Sequence, residues 1–366
     1  MTRRQIALVA CAVAVVTTGV GAAPPSALDA ASASSSSSPS ASRKVHRVKP
    51  GESIQKAVDA ARPGDSIVLS PGTYRESVTI TTPDVTLRGS TVFPTVIVPG
   101  KAASGACAEA GHGICVTGTA QRPVENVTVR SLTVRNFARN GLWASRTDRL
   151  TVRGVTAEKN GNWGIAQERS VRSVLSGNTA RDNGDAGLFV SNTTDTEEGA
   201  VDAKGTVISH NRLSGNRIGL TVRRLRNVTV DRNEATGNCA AVFVVGDEST
   251  PRAGAMTLRR NHVHANNKYC PKTPRLPFLQ GSGIVLTGAE ETLVADNRIE
   301  DNRGTSPLSG GIVLFKSFVG ALNERNEIRD NVVLRNGTAD LANRDTGKGN
   351  TFRGNTCEVS EPAGMC

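Results

Sequence analysis

Three segments, Asn211-Arg212-Leu213-Ser214-Gly215-Asn216, Asn233-Glu234-Ala235-Thr236-Gly237-Asn238 and Asn261-His262-Val263-His264-Ala265-Asn266, share one spacing: an asparagine, four residues, another asparagine. The same spacing returns in Asn178/Asn183, Asn297/Asn302 and Asn331/Asn336. Three residues before the first asparagine of each pair stands an aliphatic residue: Leu175, Ile208, Val230, Leu258, Val294 or Ile328. A unit of this kind cannot bury its apolar face alone and must stack on the next copy, which is the signature of a solenoid.

Between the asparagine pairs lie short strands that open on a small residue. Examples are Gly141-Leu142-Trp143-Ala144, Gly164-Ile165-Ala166-Gln167, Gly187-Leu188-Phe189-Val190, Gly219-Leu220-Thr221-Val222, Ala241-Val242-Phe243-Val244, Gly283-Ile284-Val285-Leu286 and Gly311-Ile312-Val313-Leu314. Leu142 to Ile165 and Ile165 to Leu188 are each 23 positions, and Leu220 to Val242 is 22. The steps Leu188 to Leu220 (32), Val242 to Ile284 (42) and Ile284 to Ile312 (28) read as the same unit carrying inserted loops. No helical period intervenes, so like strand stacks on like strand. The expectation is an all-β chain, a parallel β-helix of about nine or ten rungs. The asparagines are expected at its corners, where they tolerate left-handed turns and bond one another in ladders. A leucine-rich horseshoe shares the terminal asparagine, but its leucine pattern and helical segments are missing.

Side chains alternate across a strand. Trp143, Phe189 and Phe243 therefore share one outward column with Val285 and Val313, either to stack sugar rings or to lie under the inserted loops. A second column, two residues before each ladder asparagine or its equivalent, reads Arg88, Arg130, Arg153, Ser176, Ser209, Asp231, Arg259, Ala295, Arg329 and Arg353. With a formal charge of +11, it reads as a solvated face or as a basic strip that follows an acidic polymer.

Ser53 to Ala61 has helical apolar spacing, with Ser53 as cap and Pro63-Gly64 as stop; such a helix would cover the first rung. This segment, with Pro63-Gly64-Asp65-Ser66-Ile67-Val68-Leu69 and Pro71-Gly72-Thr73-Tyr74-Arg75-Glu76, resembles the opening of secreted right-handed β-helix proteins of the pectate-lyase-like superfamily. The likeness extends over residues 45–357. It implies a right-handed coil with a short N-terminal capping helix and a site on one face, commonly for acidic polysaccharides. It does not select an activity, because the superfamily holds lyases, epimerases, hydrolases and non-enzymatic binders.

Residues 1–23 have a basic start, an apolar run from Ile6 to Val20 and a small-residue exit near Ala22 or Ala23, or as late as Ala33, and read as an export signal. The apolar run is shorter than the roughly 20 residues of a membrane span, so no span is expected in the mature chain. Residues 24–44 are an Ala/Ser-rich linker, and residues 45–366 are the β-helix domain. A secreted, extracellular monomer is expected. Cys11 leaves with the signal. The other six cysteines fall into the couples Cys107/Cys115, Cys239/Cys270 and Cys357/Cys366, which read as disulfides in an exported chain. Each couple would close an irregular piece: a loop in the early rungs, the longest insertion, and the C-terminal tail. Aromatic content of 3% argues against a nucleic-acid platform.

A calcium-dependent lyase needs carboxylates for a hard cation and an arginine or lysine to take a proton. A hydrolase needs two carboxylates flanking the bond. An adjacent Asp-Asp pair and the Asp-Pro-His signature resembling alginate epimerases are both absent. The richest candidate is the insertion after Val190, where Asp195, Glu197, Glu198 and Asp202 could hold Ca²⁺. Glu168 lies one rung before it and Arg223 and Arg224 one rung after, as base or uronate clamp; His210, with Arg232 and Arg260 on following levels, completes the set. A loop salt-bridge network would read the same way. Trp143 and Phe189, with Arg232 and Arg260, are candidate substrate contacts. His262 and His264 lack a clear third metal ligand, and His112 reads as incidental. The leading expectation is an acidic-polysaccharide binder or Ca²⁺-assisted β-elimination lyase, against a non-catalytic structural or adhesive rod.

Overall fold

The computed structural model describes residues 43–100 and 104–366. The expected export signal and most of the linker lie outside the described residues. From Val45 onward the chain winds through three parallel sheets of 12, 10 and 11 strands. All strand pairs between successive rungs are parallel, as in Leu175↔Ile208, Ile208↔Val230 and Val230↔Leu258. Leu188 pairs with Leu220, Val242 with Ile284 and Ile284 with Ile312. The long steps are therefore single turns with loops inserted. Two of the sheets hold more strands than the expected nine or ten rungs because the coil begins at Val45–Val48, ahead of the repeats, and extends to Thr351–Arg353 beyond them.

Inside the coil, one residue per strand stacks on its equivalent. Leu175, Ile208, Val230, Leu258, Val294 and Ile328 are each at most 1% exposed, joined on other sheets by columns such as Leu142, Ile165, Leu188 and Leu220. The first rung is closed by helix Ile54–Asp59, which buries Ile54 and Val58. Ser53 Oγ accepts from Lys56 N at 3.3 Å. Glu76 accepts from Ile54 N at 2.7 Å and from Gln55 N at 3.2 Å, placing a carboxylate against the helix N-terminus. The Tyr74 hydroxyl lies 2.8 and 2.9 Å from the carbonyls of Val48 and Ser70 and ties the segment Pro71 to Glu76 to the first strand.

The corners are built differently from the sequence expectation. The left-handed residue is the one before each asparagine: His210, Arg232, Arg260, Asp296 and Asp330 have φ of 56, 52, 53, 57 and 55°. The asparagine points inward instead. Asn233 Oδ1 accepts from the backbone N and Nδ2 of Asn211 at 3.0 and 2.8 Å. Its Nδ2 donates to Ile208 O and Asn261 Oδ1 at 2.9 and 3.0 Å. This pattern runs unbroken from Asn178 to Asn355 and, at the next corner, from Asn160 to Asn336.

The three expected disulfides form, Cys107–Cys115, Cys239–Cys270 and Cys357–Cys366, with Cα–Cα separations of 5.9, 5.9 and 5.2 Å. Their surroundings differ. Cys107, Cys115, Cys239 and Cys270 are buried, as cysteine ordinarily is, and Cys357 is half-buried against the end of the core. Cys366, in contrast, is exposed. The reason is local: strand Ser360–Glu361 pairs with Leu341–Ala342 on one side only, so the segment beyond it lies on the outside of the last rung, where Met365 rather than Cys366 packs inward. Cys366 thus ties down the tail, away from the groove described below. No helix among the described residues is long and apolar enough to cross a membrane.

Asn233→Ala leaves buried donors and acceptors on Asn211, Ile208 and Asn261 unmatched, an expected loss of about 3 kcal/mol. Chemical denaturation should show a lowered midpoint; an unchanged midpoint would remove the ladder from its stabilising role.

Candidate functional site

One sheet carries the site, with strands Ile114–Thr117, Leu142–Ser145, Ile165–Glu168, Ala186–Ser191, Ile218–Arg223, Ala240–Val245, Ser282–Thr287 and Gly310–Phe315 among its members. Register sets two outward columns. The first is Cys115, Trp143, Ala166, Phe189, Thr221, Phe243, Val285 and Val313. The second is Thr117, Ser145, Glu168, Ser191, Arg223, Val245, Thr287 and Phe315. Loops over this face turn part of it into a groove of about 860 Å³, a size typical of ligand sites. It runs from His112 past Phe243 to Thr287, across seven rungs and thus on the order of 30 Å.

The first column is buried throughout except at Trp143, which is half-exposed, but its two halves are covered differently. Phe243, Val285 and Val313 are at most 2% exposed, packed with Cys270, Leu279 and Leu308 from the loops. Toward the N-terminus the rings are stacked instead. His112 lies 5.8 Å from Trp143, Trp143 6.0 Å from Trp163, and Trp163 4.0 Å from Phe189, with interplanar angles of 21, 21 and 8°. Trp163 belongs to no strand. It reaches over the rung whose own outward residue, Ala166, is too small to fill the column, and its indole N–H donates to Asp185 at 2.9 Å. Sequence reasoning named Trp143 and Phe189 and missed Trp163 and His112. An alanine standing between two aromatic positions was the available signal for a ring arriving from outside the strand.

His112 is not incidental. Its ring nitrogen Nδ1 accepts from Asn140 N at 3.3 Å, and burial, with Arg139 nearby, lowers its pKa to about 4. It enters the row as a neutral aromatic ring.

The adjacent arginines have opposite fates. Arg224, at φ 52°, borders the groove, but it is 3% exposed and bonds Asp247 and the Thr196 carbonyl, with Glu197 at 3.7 Å. It anchors the insertion. Arg223 points into the groove. Among the described residues it has no hydrogen-bond or ion-pair partner, and burial depresses its pKa, aided by Arg224 and Arg275. Arg139 and Arg275 also line the groove without a described ion-pair partner.

The four loop carboxylates do not converge. Glu198 bonds the Thr196 hydroxyl at 2.9 Å and Arg169 at 2.8 Å, and both hold its pKa low. Glu197 faces Arg224, while Asp202 accepts from Lys204 N at 2.6 Å on another strand. Asp195 lines the groove, as Glu197 does, but without a described ion-pair partner. Among the described residues no three His, Cys, Asp or Glu side chains come together to hold a metal. The set does not fit Ca²⁺, which takes six to eight oxygens. Glu168 accepts from Ser145 and Thr194 hydroxyls, both at 3.1 Å, and so ties the insertion to the preceding rung. His210, Arg232 and Arg260 sit at a corner outside the groove lining, where Arg232 and Arg260 pair with Asp231 at 2.8 and 2.7 Å. The column alignment grouped them by level, but their corner joins the other two sheets. His262 and His264 stack at 4.3 Å on the second sheet, with His262 Nε2 3.2 Å from Glu300.

The family described as "Right handed beta helix region" matches residues 85–253 and 249–366. No curated protein sequence matches. Among solved structures, the chain is similar to pectate lyase Pel9A at 13% identity, covering 86% of this chain and 79% of that one, TM-score 0.54. It is similar to the A-module of the Azotobacter vinelandii mannuronan C-5 epimerase AlgE6 at 17% identity, covering 84% and 91%, TM-score 0.57. It is also similar to the DFA-IIIase of Arthrobacter chlorophenolicus A6 without its lid, in complex with GF2, at 14% identity, covering 86% and 89%, TM-score 0.62. These likenesses concern the fold.

With the ordinary histidine pKa near 6.5 and the folded value about 4, His112 should titrate near pH 4 by NMR. The sign follows from the neutral form being the one the fold holds. Its contribution to stability is complete above the unfolded pKa and is lost as pH falls toward 4. A midpoint above pH 6 would mean that the ring is solvated and outside the row.

Proposed function

Because the chain belongs to the right-handed β-helix family, and because a fold does not by itself assign an activity, we propose its function from the groove: it binds an extended acidic polysaccharide. The observation that carries this reading is the stacked row of His112, Trp143, Trp163 and Phe189 leading to Arg223. The row gives the groove an apolar wall in which Trp143 and Trp163 remain half-exposed, and the C–H surfaces of sugar rings can pack against such a wall. Arg139, Arg223 and Arg275, without carboxylate partners of their own, are suited to the uronate groups, since a guanidinium presents a planar fork to a carboxylate. The elongated groove fits a polymer rather than a compact ligand. Similar structures named as a pectate lyase and a mannuronan epimerase support a carbohydrate ligand, and the three disulfides support an extracellular setting.

The same arginine suits a β-elimination. A base in the position of Arg223 would take the C5 proton of a uronate as the C4–O bond breaks, leaving a C4–C5 double bond, while the departing oxygen takes a proton from solvent water to become the hydroxyl of the leaving sugar. Burial, with Arg224 and Arg275, moves the Arg223 pKa downward, the direction a base requires, and neighbouring arginines would stabilise the charge developing on the carboxylate. In this reading the arginines perform the neutralisation that the sequence assigns to calcium held by the loop carboxylates.

Trp163→Ala should weaken pectate or alginate binding roughly tenfold, the effect of losing about 1–3 kcal/mol of stacking, and should reduce the ligand-dependent change in tryptophan fluorescence to the part that Trp143 contributes. Arg223→Gln should abolish any rise in ultraviolet absorbance from unsaturated product while leaving the fold intact. EDTA should alter neither binding nor product. Binding without unsaturated product would leave a binder and not a lyase; no binding of pectate, alginate or glycosaminoglycans by the wild-type chain would end the reading.

A further inference from the structure

We propose a second polyanion site, on another sheet: the Thr-x-Arg ladder Thr86/Arg88, Thr128/Arg130 and Thr151/Arg153 binds an acidic polysaccharide independently of the groove. The three arginines are direct register partners, Arg88↔Arg130 and Arg130↔Arg153, and so are the threonines. Arg130 and Arg153 are exposed, Arg88 half-buried. Arg47 continues the column two rungs earlier, beyond Val68.

The contrast along this one column carries the inference. In its C-terminal half each arginine has an acid: Arg259 lies 3.3 Å from Asp231, Arg329 3.1 Å from Glu327 and 2.6 Å from Asp330, and Arg353 also bonds Glu327. In the N-terminal half none of Arg88, Arg130 and Arg153 has a described ion-pair partner. A rigid rung spacing of about 4.8 Å holds these like charges side by side, an arrangement that an external anion relieves. The hydroxyls of Thr86, Thr128 and Thr151 make no described hydrogen bond either. Arg130, Arg153, Thr128 and Thr151 line a shallow depression with Ser131 and Gly154. Each rung thus offers a carboxylate-binding fork beside a hydroxyl, which suits a sugar that carries one carboxylate and free hydroxyls.

The test is the salt dependence of full-chain binding to polygalacturonate. The triple variant Arg88→Ser, Arg130→Ser, Arg153→Ser introduces the residue already present at Ser176 and Ser209 of the same column. Its log–log salt slope should fall by about two to three relative to wild type, with affinity at low salt reduced at least tenfold. Arg259→Ser, Arg329→Ser, Arg353→Ser, equal in charge, should retain the wild-type slope. Trp163→Ala in the groove should leave the slope unchanged, so a failed groove reading and a failed ladder reading give different results. Equal slopes for the wild type and the first triple variant overturn the proposal, as does an equal loss in both triple variants, which would mean net charge alone. Competition by inorganic polyphosphate more effective than by oligogalacturonate would overturn the carbohydrate assignment. If the triple variant does not fold, Arg130→Ser alone should lower the slope by about one.

Discussion

From Asn160 to Asn355 the rungs of this coil are fixed by the same exchange at their corners. A residue enters the left-handed region at a cost of roughly 1–2 kcal/mol, and the asparagine after it is then aimed inward, where it bonds the rung before and the rung after. His210, Arg232 and Arg260 accept that backbone, and Asn211, Asn233 and Asn261 supply the compensating bonds. A buried amide with both ends satisfied is stabilising, and one left half-satisfied is costly. The ladder therefore enforces register as well as strength. A slip of one residue would orphan every amide on that column and turn every core aliphatic outward.

Fixed register explains why much of the fold could be read in advance. Parity along a strand assigned Trp143, Phe189, Phe243, Val285 and Val313 to one outward column, and pairing confirms each step. Local cysteine couples were legible because each closes an irregular piece within one or two rungs. What spacing could not tell is shelter: Cys357 and Cys366 pair like the others, yet Cys366 stays exposed because no further rung stacks over it. The corner geometry was misplaced by one position, since an asparagine and the residue before it carry the same period and only backbone angles tell which is left-handed.

The site was legible where it rests on strands and illegible where it rests on loops. Arg223 closes a strand and faced outward as parity required. Arg224, one residue on, depends on Asp247 and Thr196, which come from two insertions that obey no period. The four carboxylates at 195, 197, 198 and 202 are close in sequence, yet they do not share a centre. Proximity in a loop does not imply convergence, because the chain can reverse between successive side chains. Trp163 shows the opposite case, a functional position reached from outside the repeat because Ala166 leaves room for it.

Stacked coils copy chemistry at a fixed interval, so a mutation in one rung acquires its effect from the rungs beside it. An arginine at Arg259 is neutralised by Asp231 one level away, whereas an arginine at Arg130 meets arginines on both sides. The residue type is the same, and the difference lies in the column. The same reasoning separates the two halves of the aromatic column: Phe243 is core because the Cys239–Cys270 loop and Leu308 close over its neighbours, while Trp143, flanked by His112 and Trp163 along the column, stays half-exposed. Ligand chemistry on this scaffold is therefore set by which columns remain uncovered and unpaired. The groove row and the Thr-x-Arg ladder meet that condition on two different sheets.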